Sequence, residues 1–243
     1  KNRTEALRLW NKKKLDVLHE ELAKRLEDKN VVTDKDKRLS ALASSYVIGD
    51  FFTGVKQIPD GTMHVCEVDP PYAINLNEIK KSKGKGTVLD CYNEVPQDEY
   101  LVFINKVIKE CYRVLIPNGW MLMWFAPEPW FEPMFRAIVS AGFELKRMPI
   151  IWTKPGGSFQ SHWPEFELAN SYEMMFYARK GVATLNNSGR KNEFSYKPVS
   201  SAKKIHPTER PIELIEDLLS TFASPGSRLL VPFAGSGNTL LAA

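Results

Sequence analysis

From Tyr46 onward the chain alternates short apolar runs with longer stretches of helical spacing. Runs at 46–49, 63–68, 120–125, 148–153, 172–178 and 229–233 read as strands. Stretches at 98–114, 128–141 and 210–223 read as helices, and a further helix starts near Thr239. Strands that alternate with helices predict a three-layer α/β sandwich. Residues 4–29 also have helical spacing, with Leu15, Leu18, Leu22 and Leu26 on one face. Residues 30–45 read as a charged linker followed by a small-residue stretch. The expected division is an N-terminal helical extension and linker, 1–45, and one domain, 46–243.

Composition narrows the class. The 243 residues are 43% hydrophobic and 26% charged, enough to bury a large core. The net charge of +4 permits a polyanionic partner without demanding one. Cys66, Cys91 and Cys111 lack ligand-like spacing, so no metal site and no disulfide framework is expected. No apolar run nears the length of a membrane span and no signal peptide is visible, so a reducing, cytoplasmic setting is expected.

Two motifs carry chemistry. The run Met63–Val68 leads into Asp69-Pro70-Pro71-Tyr72. Asp69 supplies an anionic acceptor. The prolines fix the backbone and remove two N–H donors, leaving carbonyls free to accept. Tyr72 supplies a flat face for stacking. Acceptors beside a ring suit a planar base held by its exocyclic amine. The second motif is Leu229-Leu230-Val231-Pro232-Phe233-Ala234-Gly235-Ser236-Gly237-Asn238-Thr239. Its glycines let backbone approach a ligand closely, and a helix N-terminus beyond them favours an anionic group.

Together these motifs resemble the S-adenosylmethionine-dependent amino-methyltransferases of DNA. Further segments match in order: Ile48-Gly49-Asp50-Phe51 with Ile58-Pro59-Asp60-Gly61, Val114–Trp120, Ile150–Pro155, and His206-Pro207-Thr208-Glu209-Arg210-Pro211. The order, catalytic motif first and glycine turn last, resembles the circularly permuted beta class. The resemblance implies a Rossmann-like methyltransferase fold over 46–243, with a mostly parallel sheet and one antiparallel strand. Two departures stand out. Val231 occupies a position where the family usually has an acid. The next strand, with its ribose-binding acid, does not appear, so the C-terminal end is expected to be incomplete.

The resemblance also implies roles. Asp69, Pro70, Pro71 and Tyr72 would be catalytic. Asp50, Phe51, Thr208, Phe233, Ala234, Gly235, Ser236, Gly237, Asn238 and Thr239 would hold S-adenosylmethionine. A turn-capping role is the plainer reading of Asp50. Two polar loops, 75–97 and 181–204, would meet double-stranded DNA, through Lys81, Lys83 and Lys85 in the first and Asn187, Arg190 and Lys191 in the second. Lysines suit phosphates, whereas Asn and Arg suit base edges. The implied product is adenine methylated at N6. Cytosine-N4 methylation, an RNA or protein amine as substrate, and an inactive DNA-binding module stay open. A second copy of the chain and a restriction endonuclease are the other partners the resemblance allows, in a bacterial or phage-encoded setting.

Overall fold

The computed structural model describes residues 37, 40, 44–74, 95–156, 161, 163–200 and 208–243. The expected N-terminal helix, Lys81, Lys83, Lys85, His206 and Pro207 lie outside the described residues.

A short helix, α1 (Phe51–Gly54), comes first. Asp50 caps it, its Oδ1 accepting from Thr53 N and Thr53 Oγ1, each at 2.9 Å. β1 (Met63–Val68) follows. Helix α2 (Gln97–Val114) buries Tyr100, Ile104, Val107, Ile108 and Cys111, a stripe at three- and four-residue spacing. Asp98 and Glu99 in its first turn oppose the helix dipole favourably. The chain passes directly into β2 (Leu115–Phe125), then α3 (Pro127–Ser140), β3 (Ile150–Thr153), β4 (Tyr172–Arg179) and β5 (Glu193–Ser195). Helix α4 (Ile212–Phe222), β6 (Leu229–Leu230) and α5 (Asn238–Ala242) complete the order.

Among the described residues, six strands form one sheet in the order β5-β3-β4-β2-β1-β6. β1 runs parallel to β2 and β6, and β3 parallel to β5; only β4 is antiparallel to its neighbours, β2 and β3. This is the expected sheet, with its one reversed strand. Both faces are covered. Met121, Met123 and Phe125 join α2 and α3 in one core. Trp120, Leu122 and Trp124 alternate to the other face and join α4. Burying each such side chain stabilises the fold by about 1.5–3 kcal/mol before entropy is counted. Gly119 is required within β2, because a Cβ there would lie 2.9 Å from the His64 carbonyl oxygen.

Two expectations of detail change, and one strand is additional. Residues 46–49 form no strand: Val47 is 81% exposed, and the chain turns at once into the Asp50 cap. β6 ends at Leu230, short of 233; Pro232 has no N–H to continue a ladder. β5, three residues long, carries no readable period. Among the described residues, no helix is long and apolar enough to cross a membrane, and no group of three or more His, Cys, Asp or Glu is placed to hold a metal ion.

Candidate active site

The central strands deliver the two motifs to one place. β1 and β6 are hydrogen-bonded neighbours, with Val65 opposite Leu229 and Cys66 opposite Leu230. Both run parallel, so the acid-proline motif and the glycine turn leave the same edge of the sheet side by side. A cleft between them is lined by Asp69, Thr208, Phe233, Ala234, Gly235, Ser236, Asn238 and Thr239, joined by Glu67, Glu209, Arg210 and Ile215. The sequence-predicted residues Asp69, Thr208 and 233–236 are thus brought together. Ligands in open α/β sheets gather at such strand ends.

The glycine turn has the backbone its residues suggest. Gly235 has φ +52° and Gly237 φ +83°, left-handed values that side chains resist. Gly235 is exposed, so the rim of the cleft there is backbone alone. Gly237 N donates to the Ala234 carbonyl at 2.7 Å, closing the turn. Asn238 is anchored below, its Nδ2 donating to the Arg210 carbonyl at 2.8 Å and to Glu209 Oε1 at 3.1 Å. The Phe51 ring lies 5.7 Å from that of Phe233, so α1 sits against the turn. An open backbone rim, an aromatic wall and acidic side chains fit a ligand with an amino-acid part and a planar part.

A charged network surrounds Asp69. Tyr72 Oη donates to Asp69 Oδ1 at 2.9 Å. Arg210 Nη1 donates to Asp69 Oδ2. Arg210 Nη2 donates to Tyr72 Oη at 2.8 Å and to Glu173 Oε2 at 2.9 Å. The guanidinium carbon also lies 4.0 Å over the Trp124 ring. Lys154 Nζ closes the chain of charges, donating to Glu173 Oε1 at 2.5 Å and lying 4.6 Å over Trp152. Burial lowers the affinity of Arg210 for its proton, but Asp69, Tyr72 and Glu173 outweigh it and hold the group firmly charged. Burial pushes the Tyr72 hydroxyl well above its ordinary range, against the pull of Arg210. Burial would raise Glu173 too, but Arg210 and Lys154 overcome it and hold its carboxyl below the ordinary glutamate range. Asp69 already has a partner on each oxygen, yet a carboxylate offers about four lone-pair sites, so it can accept again.

Glu67 is the other notable group. It is 3% exposed in the middle of the sheet. Trp124 Nε1 donates to its Oε1 at 2.8 Å, and Thr239 Oγ1 to its Oε2 at 3.2 Å. Burial and the nearby Asp69 charge push its carboxyl up to about 7, with Arg210 and the two hydrogen bonds opposing.

The second polar loop is described as far as 200. Asn187 and Lys191 are exposed. Arg190 is not: its Nη2 pairs with Asp217 on α4, and its guanidinium lies 4.1 Å over Phe194 of β5. Tyr196 Oη donates to the same Asp217 oxygen at 2.7 Å. Arg190 therefore fastens the loop to α4. Asp50 caps α1, as its plainer reading had it. Glu67, Arg210 and Glu173 belong to the site without having been singled out as site residues. The available signal was an acid inside an otherwise apolar strand, at Glu67 and again at Glu173.

Comparison with known proteins places this geometry in a family. The DNA methylase family of N6- and N4-methyltransferases matches residues 63–243. The type II methyltransferase M2.DpnII of Streptococcus pneumoniae is 24% identical over 225 residues, covering 79% of this chain and 78% of that protein. Among solved structures, the cytosine-N4-specific PvuII DNA methyltransferase superposes with TM-score 0.63 at 18% identity, over 80% of this chain and 76% of that one. The complex of M1.HpyAVI with SAM gives TM-score 0.54 at 22% identity, over 80% and 84%. With its motif order, its reversed strand and its family match over three-quarters of its length, the chain belongs to the N6/N4 DNA methylase family.

Proposed function

We propose that this protein transfers a methyl group from S-adenosylmethionine to the N6 amine of an adenine flipped out of duplex DNA. The observation that carries the reading is the adjacency of Asp69 and the Gly235–Gly237 turn at the ends of neighbouring strands. The cofactor supplies an activated methyl on a sulfonium. Phe233 to Gly237 would cradle its methionine part, and Phe51, packed on Phe233, would bound its planar part.

The protein's own residues do the rest. An adenine amine is a poor nucleophile because its lone pair is delocalised into the ring. Asp69 and the Pro70 carbonyl each accept one of its N–H bonds, which localises that lone pair and fixes its direction. Arg210 and the Tyr72 hydroxyl hold the Asp69 carboxylate in place for this. Tyr72 gives the flipped base a stacking surface, recovering part of the few kcal/mol that extrusion requires. Positioning supplies most of the rate, and no catalytic thiol is called for: Cys66 and Cys111 are buried away from the cleft. Exposed Asn187 and Lys191, with the lysines of 75–97, would meet the DNA.

Cytosine N4 is the second reading, since PvuII methyltransferase, which shares the fold, is cytosine-N4-specific, and its target amine offers the same two N–H donors. Incubation with labelled S-adenosylmethionine and duplex DNA, then nucleoside chromatography, tests both. N6-methyldeoxyadenosine is expected. N4-methyldeoxycytidine moves the assignment to the second reading. Label on RNA alone, or cofactor binding without transfer, refutes both.

A further inference from the structure

Glu67 is a residue the proposed chemistry has not used. Its place is unusual for an acid: β1 is central in the sheet, and the strand is otherwise apolar around it. The register, Val65 opposite Leu229 and Cys66 opposite Leu230, puts Glu67 one residue beyond the last β1–β6 pair, and it lines the same cleft as the glycine turn. Its carboxylate is steered there by the Trp124 indole and the Thr239 hydroxyl, from β2 and α5. Neither partner carries charge. Among the described residues, the cation that acts on it is Arg210, which is committed to Asp69, Tyr72 and Glu173. Among the described residues that line the cleft, Glu67 and Asp69 stand against the single guanidinium of Arg210. A buried carboxylate without its own counter-charge is costly. A cleft with that imbalance is suited to a ligand that brings positive charge.

We propose that Glu67 receives the ammonium group of the cofactor's methionine part, supplying from β1 the acidic contact that Val231, just past β6, cannot supply. The inference rests on the S-adenosylmethionine reading. It has a measurable corollary. The groups facing Glu67 are Asp69 on β1, Arg210 ahead of α4, and the uncharged Trp124 and Thr239, with Glu209 across the cleft. With the carboxyl titrating near 7, an arriving cation favours the charged form, so binding near neutrality expels a proton.

The test is calorimetry on the full chain in buffers of different ionisation enthalpy. S-adenosylhomocysteine is the probe, because it keeps the ammonium and lacks the sulfonium. The wild type should release about half a proton on binding near pH 7. Glu67→Gln should release none and bind about tenfold more weakly. Methylthioadenosine, which has no amino-acid part, should bind both proteins equally. Glu67→Gln/Val231→Asp, with the carboxylate moved to the residue after β6, should recover the affinity. Wild-type binding without proton release, unchanged affinity in Glu67→Gln, or a double variant that recovers nothing would each overturn the assignment. If neither S-adenosylmethionine nor S-adenosylhomocysteine binds the wild type, the cofactor reading itself fails and takes this inference with it.

Discussion

Replacing Glu67 by Gln should make the ligand-free protein more stable, by an amount that depends on pH. An unfolded glutamate titrates near 4.5, whereas Glu67 in the folded protein titrates near 7. The folded value is raised, so the contribution of this group to stability is fully present below pH 4.5 and is lost as pH rises to 7 and beyond. The gap of roughly 2.5 pH units, at about 1.36 kcal/mol each, amounts to about 3 kcal/mol. The residue is 3% exposed, so solvent does little to screen this. Glutamine keeps the shape and both contacts: its carbonyl accepts from Trp124 Nε1, and its amide donates to the Thr239 hydroxyl. Only the titration is removed. Urea unfolding of both proteins, from about pH 4 to about pH 8, measures the difference directly. The stabilisation should be near zero at the acid end and about 3 kcal/mol at the alkaline end. Parallel stability curves across that range would refute the account of Glu67 as a buried acid held against its ordinary ionisation.

Other perturbations test the rest of the site. Asp69→Ala should abolish methyl transfer while leaving S-adenosylhomocysteine affinity nearly unchanged by calorimetry; activity above a few per cent of wild type, as a rough threshold, contradicts the role given to the acid. Gly235→Val should weaken cofactor binding by about tenfold or more, roughly 1.4 kcal/mol, because it places a branched side chain at φ +52° on the cleft rim. Arg210→Met should lower stability by about 3–5 kcal/mol near neutrality, since Asp69 and Glu173 lose their buried counter-charge. Glu173 is held below the ordinary glutamate range, so its paired contribution exists above that range and fades below it; the Arg210→Met penalty should shrink in urea titrations at acid pH. Arg190→Ala should lower the melting temperature without flattening the salt dependence of DNA binding, because Arg190 is spent on Asp217 and Phe194; a change of about one unit in that slope would show a phosphate contact instead.

What the sequence disclosed followed from the range over which each signal acts. The strand at 63–68 and the helix near 98–114 were legible because their patterns are local: a short, mostly apolar run in one, a stripe at three- and four-residue spacing in the other. Asp69 to Tyr72 and the glycine turn were legible for the same reason, each being a contiguous motif with its own backbone demand. Arg210 was not, because its meaning comes from Asp69, 141 residues away. Arg190 looked like a reader of base edges by residue type, yet a partner on a distant helix, Asp217, decides its use. Residues 46–49 had apolar character but no neighbouring strand to pair with. β5 has three residues, too few to display a period. Glu67 was in view throughout, as an acid in a buried strand, and only its neighbours on β2 and α5 give it a purpose.

The adjacency of β1 and β6 has a consequence for how the protein comes into being. Glu67 and Thr239 share a hydrogen bond although 172 residues separate them. During synthesis the strand that presents Asp69 leaves the ribosome early, and its outer neighbour leaves late. For that interval β1 has an open edge on the side where β6 will lie, the kind of edge that recruits stray strands. Joining the two across so long a span is not prohibitive in equilibrium terms, since each doubling of a loop adds only about 0.6 kcal/mol. It is slow in kinetic terms, because pairings between distant segments form after local ones. A chain cut short anywhere before the glycine turn would therefore hold Asp69 with the facing wall of the cleft missing. The two halves of the cleft come together in one step, when β6 docks on β1.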